Sequence, residues 1–589
     1  MQQLQQLEAL YNLGVIAYQK GQYDIAVSYF QQAVALTPNE PKCYYNLATM
    51  LIRQNQQEEA LEHLQKALEI DPNYADAHYN LACLYKLRFD WDKAIAHFEK
   101  AIALKPNNYK AYCHLAETLL DLNMTEAGIA NYEKALAIDD SDDGLKIKLA
   151  TAVPRIYQSA GDIQLWRNRA IHNINNLRAD CQKHPFQFKK LSLAAGTTHF
   201  YWAYQGLDDK VLQQSFSRLF PADKNQSRRI LLPLTGKIKI GFISSYFTDG
   251  HTIHKVFAGI LDHLSREKFD VTVFTIQSAI LPEIRLPYSH IDLVEDVQKA
   301  CTAIQAENLD ILFYTDIGMD SLTWFLAHYR LAPLQFATWG HPVTTGVETI
   351  DYYISSRLFE PEDAQSHYSE KLILMETIPA YFYRPQKPEI TYPRGHFGLS
   401  KQDHVYLCPQ SLFKFHPDFD SILCQILEQD PQGKLVLVNA LHSAWNQPLM
   451  RRFETTMPNV VQQIRILDKL SHPEFLSLVS MADVMLDTIH FNGGRSTYES
   501  LAMGAPLVTL PSSFMRGRMT YGLYRKMNMA ECIAKSTEDY IQIALKLGTQ
   551  PKFQKSIREK IIVANHVLYE DIAAVRELES ILFQTIRSL

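Results

Sequence analysis

Along the N-terminal quarter of the chain, apolar, small and helix-ending positions return at one interval. Leu13, Leu47, Leu81 and Leu115 stand 34 residues apart, and Pro38, Pro72 and Pro106 keep the same step. Each proline closes a helix, because it cannot continue one. Ala26, Ala60 and Ala94, with Gly128 continuing the series, fall where two antiparallel helices must approach closely. The pattern predicts an array of about four helix pairs over residues 1–143. Residues 144–235 keep a helical pattern, with Trp166, Phe186, Phe188, Phe200, Tyr201, Trp202 and Tyr204 as expected packing anchors between the array and the C-terminal part of the chain, and no chemistry of their own.

At residue 237 the pattern changes. "KIKIGFISSYF", "FDVTVFTI" and "LDILFYTDIG" read as buried strands separated by helical stretches. After a Pro- and Tyr-rich joint, "YFYRPQKPEITYPRG", the alternation resumes with "HVYLCP", "KLVLVNA", "ADVMLD" and "APLVTLP". Strands alternating with helices predict parallel, doubly wound sheets. Two Rossmann-like lobes facing a cleft are expected, over 236–385 and 386–589. Ligands of such folds bind at the carboxyl ends of the strands.

The 34-residue units resemble the tetratricopeptide repeat. Stacked repeats leave a concave groove that commonly takes extended peptide, so the array implies a protein or peptide partner. Asn12, Asn46 and Asn80 share one position of the first helix, and His114 takes it in the fourth repeat. They are either polar surface positions or a ladder that holds a peptide backbone without reading its sequence. "DDSDD" at 139–143 is expected to be a solvated turn, not a metal site.

Composition narrows the function. Hydrophobic content of 47% and charged content of 21% are those of a globular chain. The net charge of -6 gives no basic footprint, so nucleic acid is not an expected partner. No window approaches a membrane span, and the N-terminus carries no secretory pattern. Eight cysteines without a CxxC pair or regular spacing disfavour a zinc site and a disulfide framework. A reducing cytoplasm is the expected compartment.

A repeat array followed by two such lobes is similar to the protein O-GlcNAc transferases and the related cytoplasmic protein N-glucosyltransferases. The likeness runs over nearly the whole chain, on "GFISSYFTDGHTIHK", "RLAPLQFATWGHPVTTG", "DYYISS", "HYSEKL", "CPQSLFKFHPDF", "MADVMLDTIHFNGGRSTYESLAMGAPLVTLP" and "RGRMTYGLYRKM". It implies an α-solenoid followed by a GT-B fold, a nucleotide-sugar donor, inversion at the anomeric carbon and neither metal nor other cofactor. The expected reaction moves GlcNAc or glucose from a UDP-sugar to a protein side chain. Transfer to asparagine, and a peptide-binding scaffold without turnover, are the alternatives.

"HFNGGRSTYES" comes after the strand "ADVMLD". Gly493 and Gly494 permit a close backbone turn, and the helix after them aims free N–H groups at an anion such as a pyrophosphate. Ser496 and Thr497 add hydroxyl donors. By resemblance, Asn492 and Gly493 align with the family's Asn-Gly, and Glu499 takes the place of its ribose-binding acid. Arg495 departs from the family's pattern, and either pairs with a phosphate or faces solvent.

Lys414 matches the family's phosphate-binding lysine. A fixed cation there stabilises the leaving diphosphate more in the transition state than before it. Gln410 and Ser411 belong to the same donor loop, with Ser411 where many relatives carry glutamine. Arg518 is a further candidate beside the phosphates, and the backbone near Leu470 and His472 is the expected contact for uracil; a guanine base stays open. His251 is placed near the family's active-site histidine, as a base or as a positioning group. A one-residue shift puts Gly250 there instead, and His254 competes. His341, Thr344, Thr345 and Gly346 are expected to bracket the sugar, with Asp316 and Gly318 nearby.

Overall fold

The computed structural model describes residues 2–183, 186, 199–220, 236–248, 250–276, 288–439 and 443–588; Phe188 lies outside them. The chain divides into two compact units, 1–154 and 155–589.

The first unit is a run of antiparallel helix pairs: α1 (Gln2–Gln19) with α2 (Tyr23–Leu36), α3 (Pro41–Arg53) with α4 (Gln57–Ile70), α5 (Ala75–Leu87) with α6 (Trp91–Leu104), and α7 (Tyr109–Asp121) with α8 (Thr125–Ile138). Ala26, Ala60 and Ala94 are completely buried. A Cβ on Gly128 would lie 2.8 Å from Leu120 Cγ and 3.0 Å from the Ala116 carbonyl oxygen, which accounts for the small residue at this step. Each intra-pair turn passes through one left-handed residue, Gly21, Asn55, Phe89 or Asn123, again 34 apart. Glycine and asparagine tolerate that conformation; Phe89 carries its cost. A ninth helix, α9 (Asp143–Thr151), comes next, and Leu145 and Ala152 join the core formed by Ala116, Leu120, Tyr132 and Ala135. The array therefore runs on to Pro154 instead of stopping at 143, because this helix buries the face that α8 would otherwise expose.

The second unit begins with a long helix, Ala160–Lys183, a 3-10 helix of two turns, Phe200–Gln205, and a short helix, Lys210–Ser217. Beyond these helices the chain forms two all-parallel sheets. The first contains β1 (Ile238–Ile243), β2 (Phe269–Ile276), β3 (Ser289–Leu293), β4 (Ile311–Tyr314), β5 (Leu334–Thr338), β6 (Tyr352–Ser356) and β7 (Lys371–Met375), in the order β3-β2-β1-β4-β5-β6-β7. The second contains β8 (His404–Cys408), β9 (Gly433–Val438), β10 (Ile464–Leu467), β11 (Val484–Leu486) and β12 (Leu507–Val508), in the order β10-β9-β8-β11-β12. Central strands such as β4 and β8 are almost wholly buried, as expected of parallel sheets covered on both faces.

The two sheets build two Rossmann-like lobes in the GT-B arrangement. The end of the chain returns to the first lobe. The last helix, Ile572–Arg587, packs against β7 of the first lobe. Glu579 accepts from the Ser265 amide at 2.7 Å, and Glu577 accepts from the amides of Glu376 and Thr377 at 2.7 and 2.9 Å. The sequence boundary at 385/386 thus leaves out the segment that closes the first lobe.

Candidate active site

A cleft of about 550 Å³ opens between the two lobes, lined by loops that leave the carboxyl ends of their strands. From the second lobe, the chain leaves β8 through Pro409 and turns through Leu412–Lys414. Lys414 Nζ donates to the Asn492 carbonyl at 2.9 Å and to Gln410 Oε1 at 3.1 Å, and sits 4.7 Å over the Phe491 ring. Burial lowers its pKa to about 8, opposed by the nearby Asp487 charge. No carboxylate forms a salt bridge with it among the described residues. Gln410 then donates through Nε2 to Ser496 Oγ at 2.9 Å, tying this loop to the next one.

That next loop leaves β11. Asp487, buried at its end, accepts from the Gly493 amide and from Thr509 Oγ1, both at 3.0 Å. Burial raises the Asp487 carboxyl to about 6. A Cβ on Gly493 would meet Gln410 Nε2 and Thr497 Oγ1 at 2.6 Å, so only glycine fits; a Cβ on Gly494 would meet open space. Gly494 caps the helix Arg495–Ala502, and Gly494, Arg495, Ser496 and Glu499 line the cleft. Asn492 Nδ2 donates to the Thr488 carbonyl at 3.0 Å, while its buried Oδ1 has no partner. Thr497 is turned inward, donating to the Gly493 carbonyl at 2.9 Å, so its hydroxyl steadies the turn instead of entering the cleft.

Glu499 Oε1 accepts from His472 Nε2 at 2.9 Å and from Arg495 Nε at 2.7 Å. Arg495 is turned into the cleft and away from open solvent, and its Nη1 donates to the Gly250 carbonyl of the first lobe at 2.5 Å. Leu470, His472 and Ser411 line the cleft as well.

From the first lobe, His251 caps the helix Thr252–His263, its Nδ1 accepting from the Ile253 amide at 3.3 Å. Its ring stacks on Tyr246, with centroids 4.4 Å apart. Burial, then the charges of Arg495 and His254, lower its pKa to about 4. His251 lines the cleft, whereas His254 does not, and Gly250 supplies only its carbonyl. His341 also lines it, stacked on Phe200 at 5.3 Å; burial lowers it to about 3, and its Nε2 is buried without a partner.

Other expected residues stand outside the cleft. Thr344 Oγ1 donates to Glu370 Oε2 at 2.6 Å, and the Thr345 amide to Glu370 Oε1 at 2.7 Å, so a buried acid takes both. A Cβ on Gly346 would lie 2.4 Å from the Gln213 backbone, which makes it a packing position. Asp316 accepts from Ser244 Oγ at 2.7 Å inside the lobe, and burial and Asp320 push it up to about 8. Gly318 packs on the His341 ring. Arg518 is spent on the Phe359 and Ser512 carbonyls, at 2.7 and 3.2 Å. Conversely, Phe200 and Tyr204, expected only to pack, line the cleft, and Tyr204 lies 4.5 Å from Phe413 and 4.4 Å from Phe491. Their aromatic spacing resembled a core signal, which is why the sequence concealed them.

In the repeat unit, Asn12 is exposed. Asn80 Nδ2 donates to Thr49 Oγ1 of the preceding repeat at 3.2 Å, His114 Nδ1 lies 3.2 Å from Glu117 Oε2, and Asn46 Nδ2 is buried without a partner.

The model of the family described as "Glycosyl transferase family 41" matches residues 224–387 and 383–570, more than half of the chain. The chain belongs to glycosyl transferase family 41. Tetratricopeptide repeat models match residues 5–73, 75–108 and 97–137 of this family 41 chain. Among curated relatives, the Arabidopsis thaliana "Probable UDP-N-acetylglucosamine--peptide N-acetylglucosaminyltransferase SPINDLY" is 26% identical over 391 residues, covering 60% of this chain and 41% of the relative. The Arabidopsis thaliana protein of the same description named SEC is 25% identical over 339 residues, covering 55% and 34%. The chain thus spans less than half the length of these relatives. A mutant of the Thermobaculum terrenum O-GlcNAc transferase matches with a TM-score of 0.57 at 18% identity, over 100% of this chain and 98% of that one, and shows the shared fold. No helix among the described residues is long and apolar enough to cross a membrane.

Proposed function

We propose that this family 41 chain transfers a sugar, with inversion, from a UDP-sugar to a side chain of a protein acceptor. The observation that carries the reading is Lys414, a half-buried cation without a salt-bridge partner, held beside the opening of the helix Arg495–Ala502 at Gly494. A diphosphate placed there gains negative charge as its bond to the sugar breaks. Lys414 and the helix amides are fixed in advance where that charge develops, and act more strongly on the transition state than on the bound donor. In this reading Lys414 does the work a metal ion does elsewhere, and no cofactor takes part in the step.

The remaining groups receive roles from the same geometry. Ser496 completes the phosphate end, and Asn492 supports it from beneath, its carbonyl accepting from Lys414 at 2.9 Å. Glu499, whose Oε1 already holds His472 and Arg495, has Oε2 left for the ribose hydroxyls. Leu470 and His472 border the base. His341, Phe200 and Tyr204 border the sugar. His251 is assigned the positioning role: with Nδ1 accepting from the Ile253 amide, the neutral ring carries its proton on Nε2 and offers the cleft a donor. A pKa of about 4 also makes it a weak base.

The repeat unit is assigned to the polypeptide acceptor, through Asn12, Asn46, Asn80 and His114, and the printed names of the relatives, peptide N-acetylglucosaminyltransferases, favour GlcNAc as the sugar. None of the eight cysteines is joined in a disulfide, which suits a reducing compartment such as the cytoplasm.

The test offers the purified chain a panel of UDP- and GDP-sugars and a mixed pool of peptides, beside Lys414→Ala. One donor should be consumed, a peptide should gain that sugar's mass, and the variant should lose the activity. Transfer to asparagine would move the reading to N-glucosylation. Peptide binding with no donor bound or consumed would leave a scaffold and end the enzyme reading.

A further inference from the structure

Behind the cleft, the loop after β8 and the turn after β11 meet a second time. His416 and Asp418 lie just beyond Lys414, and His490 just before Phe491. Asp418 Oδ2 is 3.3 Å from His416 Nδ1 and 3.2 Å from His490 Nε2, and the three donor atoms all lie within 4.8 Å of one another. We propose that His416, Asp418 and His490 form a binding site for a divalent transition-metal ion of the zinc class, joining the two loops that carry Lys414 and the glycine turn.

The two distances to Asp418 fit such an ion, and the two histidines lie within 4.8 Å of each other. Nitrogen and oxygen ligands at about 2.0–2.1 Å in a tetrahedral shell lie about 3.3 Å from each other. Two imidazoles and a carboxylate also match the ion's ligand preference. The sequence pointed away from a zinc site on its cysteine spacing, which weighs only thiolate ligands and not the two imidazoles and the carboxylate gathered at this turn.

Both imidazoles are held from behind by the same turn. His416 Nδ1 accepts from the Asp418 amide at 3.2 Å, a long bond that an ion would replace. Its other ring nitrogen is left to bond the Gln205 backbone. That is the outer support metal-binding histidines use to fix tautomer and ring direction. The next residue, Gly206, has φ +71, and a Cβ there would lie 2.9 Å from His490 Cγ, so the turn presses directly on the second imidazole. His490 itself adopts φ +69, a strained conformation for a residue other than glycine. The rings meet at 4.5 Å between centroids.

His416 is buried, while Asp418 and His490 border a separate open cleft with Ser512, Ser536 and Glu538. Three protein ligands on one side and an open cleft on the other leave a fourth position for water. The ion would brace the phosphate loops from behind, without touching the donor itself.

The test uses the full chain, stripped with chelator, desalted and titrated with Zn2+ alone by calorimetry and with Co2+ alone by visible absorption. One saturable equivalent is expected, with the Co2+ spectrum of a nitrogen- and oxygen-ligated ion. His490→Gln and Asp418→Asn should each weaken it at least about tenfold, while the exposed His172→Gln leaves it unchanged. Thermal melts of the stripped variants that match the stripped parent separate lost ligation from lost folding. Absence of a saturable equivalent, or one that survives unchanged in both ligand variants, overturns the site and leaves the cluster as a hydrogen-bonded His–Asp–His network.

Discussion

Arg495 spans the cleft to Gly250: its Nη1 donates to the Gly250 carbonyl at 2.5 Å while its Nε holds Glu499 Oε1 at 2.7 Å. The guanidinium thereby ties the helix after the glycine turn to the loop that carries His251, and its charge bears on that imidazole. Arg495→Met removes the second-largest influence that lowers His251, after burial. The His251 pKa should move up from about 4 toward the ordinary histidine range, read by NMR titration of the ring. An unmoved value would mean that burial and His254 set it without Arg495.

Lys414 sets an alkaline limit. With its pKa lowered to about 8, the free protein loses the cation as pH rises through that value, so kcat/KM for the donor should fall above pH about 8. Lys414→Ala should lower kcat by about 10² to 10³ and change donor KM much less, since the charge acts chiefly in the transition state. Steady-state kinetics over pH, with both proteins, check both statements.

Asp487 is the counterweight. Its charge raises the lysine that burial lowers, so Asp487→Asn should carry the alkaline limb of kcat/KM to lower pH than in the parent. Stability has the opposite sign from an ordinary salt-bridged acid. Because the folded carboxyl is raised to about 6, its contribution is greatest below the unfolded value of about 3.9 and is lost as pH rises toward 6. Denaturant titrations between those pH values should show that slope in the parent and its loss in the variant.

The adjacent glycines should separate sharply. Gly493→Ala pushes a methyl group into Gln410 and Thr497 and should cost about 1–3 kcal/mol, as overpacking does. Gly494→Ala meets open space and should change stability by less, yet project a methyl group toward the anion position and weaken UDP binding. Chemical denaturation and UDP calorimetry on both variants give the comparison.

In the repeat unit, Glu117 receives Lys86 and Lys148, both at 2.7 Å, and His114 at 3.2 Å. These hydrogen bonds and charges overcome the upward effect of burial and hold its carboxyl well below the usual range. A lowered acid contributes stability above its unfolded pKa and loses it as pH falls through the folded one. Glu117→Gln should therefore lower the melting temperature of the array at neutral pH, and the difference should shrink in strong acid.

Much of this was legible in the chain. The repeat period located every helix pair because a 34-residue step repeats both the close-packed alanine and the left-handed turn. Strands β1, β2, β4, β8 and β9 stood out as continuous apolar runs. The edge strand β3, "SHIDL", did not, since it is partly exposed and its residues alternate with polar ones. The positions of Lys414 and Glu499 at the cleft were readable because short loops after strands place them with little freedom. Thr344 and Thr345 misled because their partner, Glu370, lies 26 and 25 positions away, and burial of that acid is a property of the fold. Asp487 was hidden for a similar reason: at the end of an apolar strand it reads as a strand terminus, and only the folded loop shows its oxygen under Gly493.

The helix Ile572–Arg587 has a consequence for how the protein is made. Glu577 reaches Glu376 across 201 positions of chain, and Glu579 reaches Ser265 across 314. On a ribosome the first lobe emerges long before the clasp that closes it, and waits with a bare sheet edge while the whole second lobe is translated. Dividing the gene at the joint between the lobes would yield one fragment short of a wall and another with a surplus helix, so the two are one unit of synthesis as well as of fold.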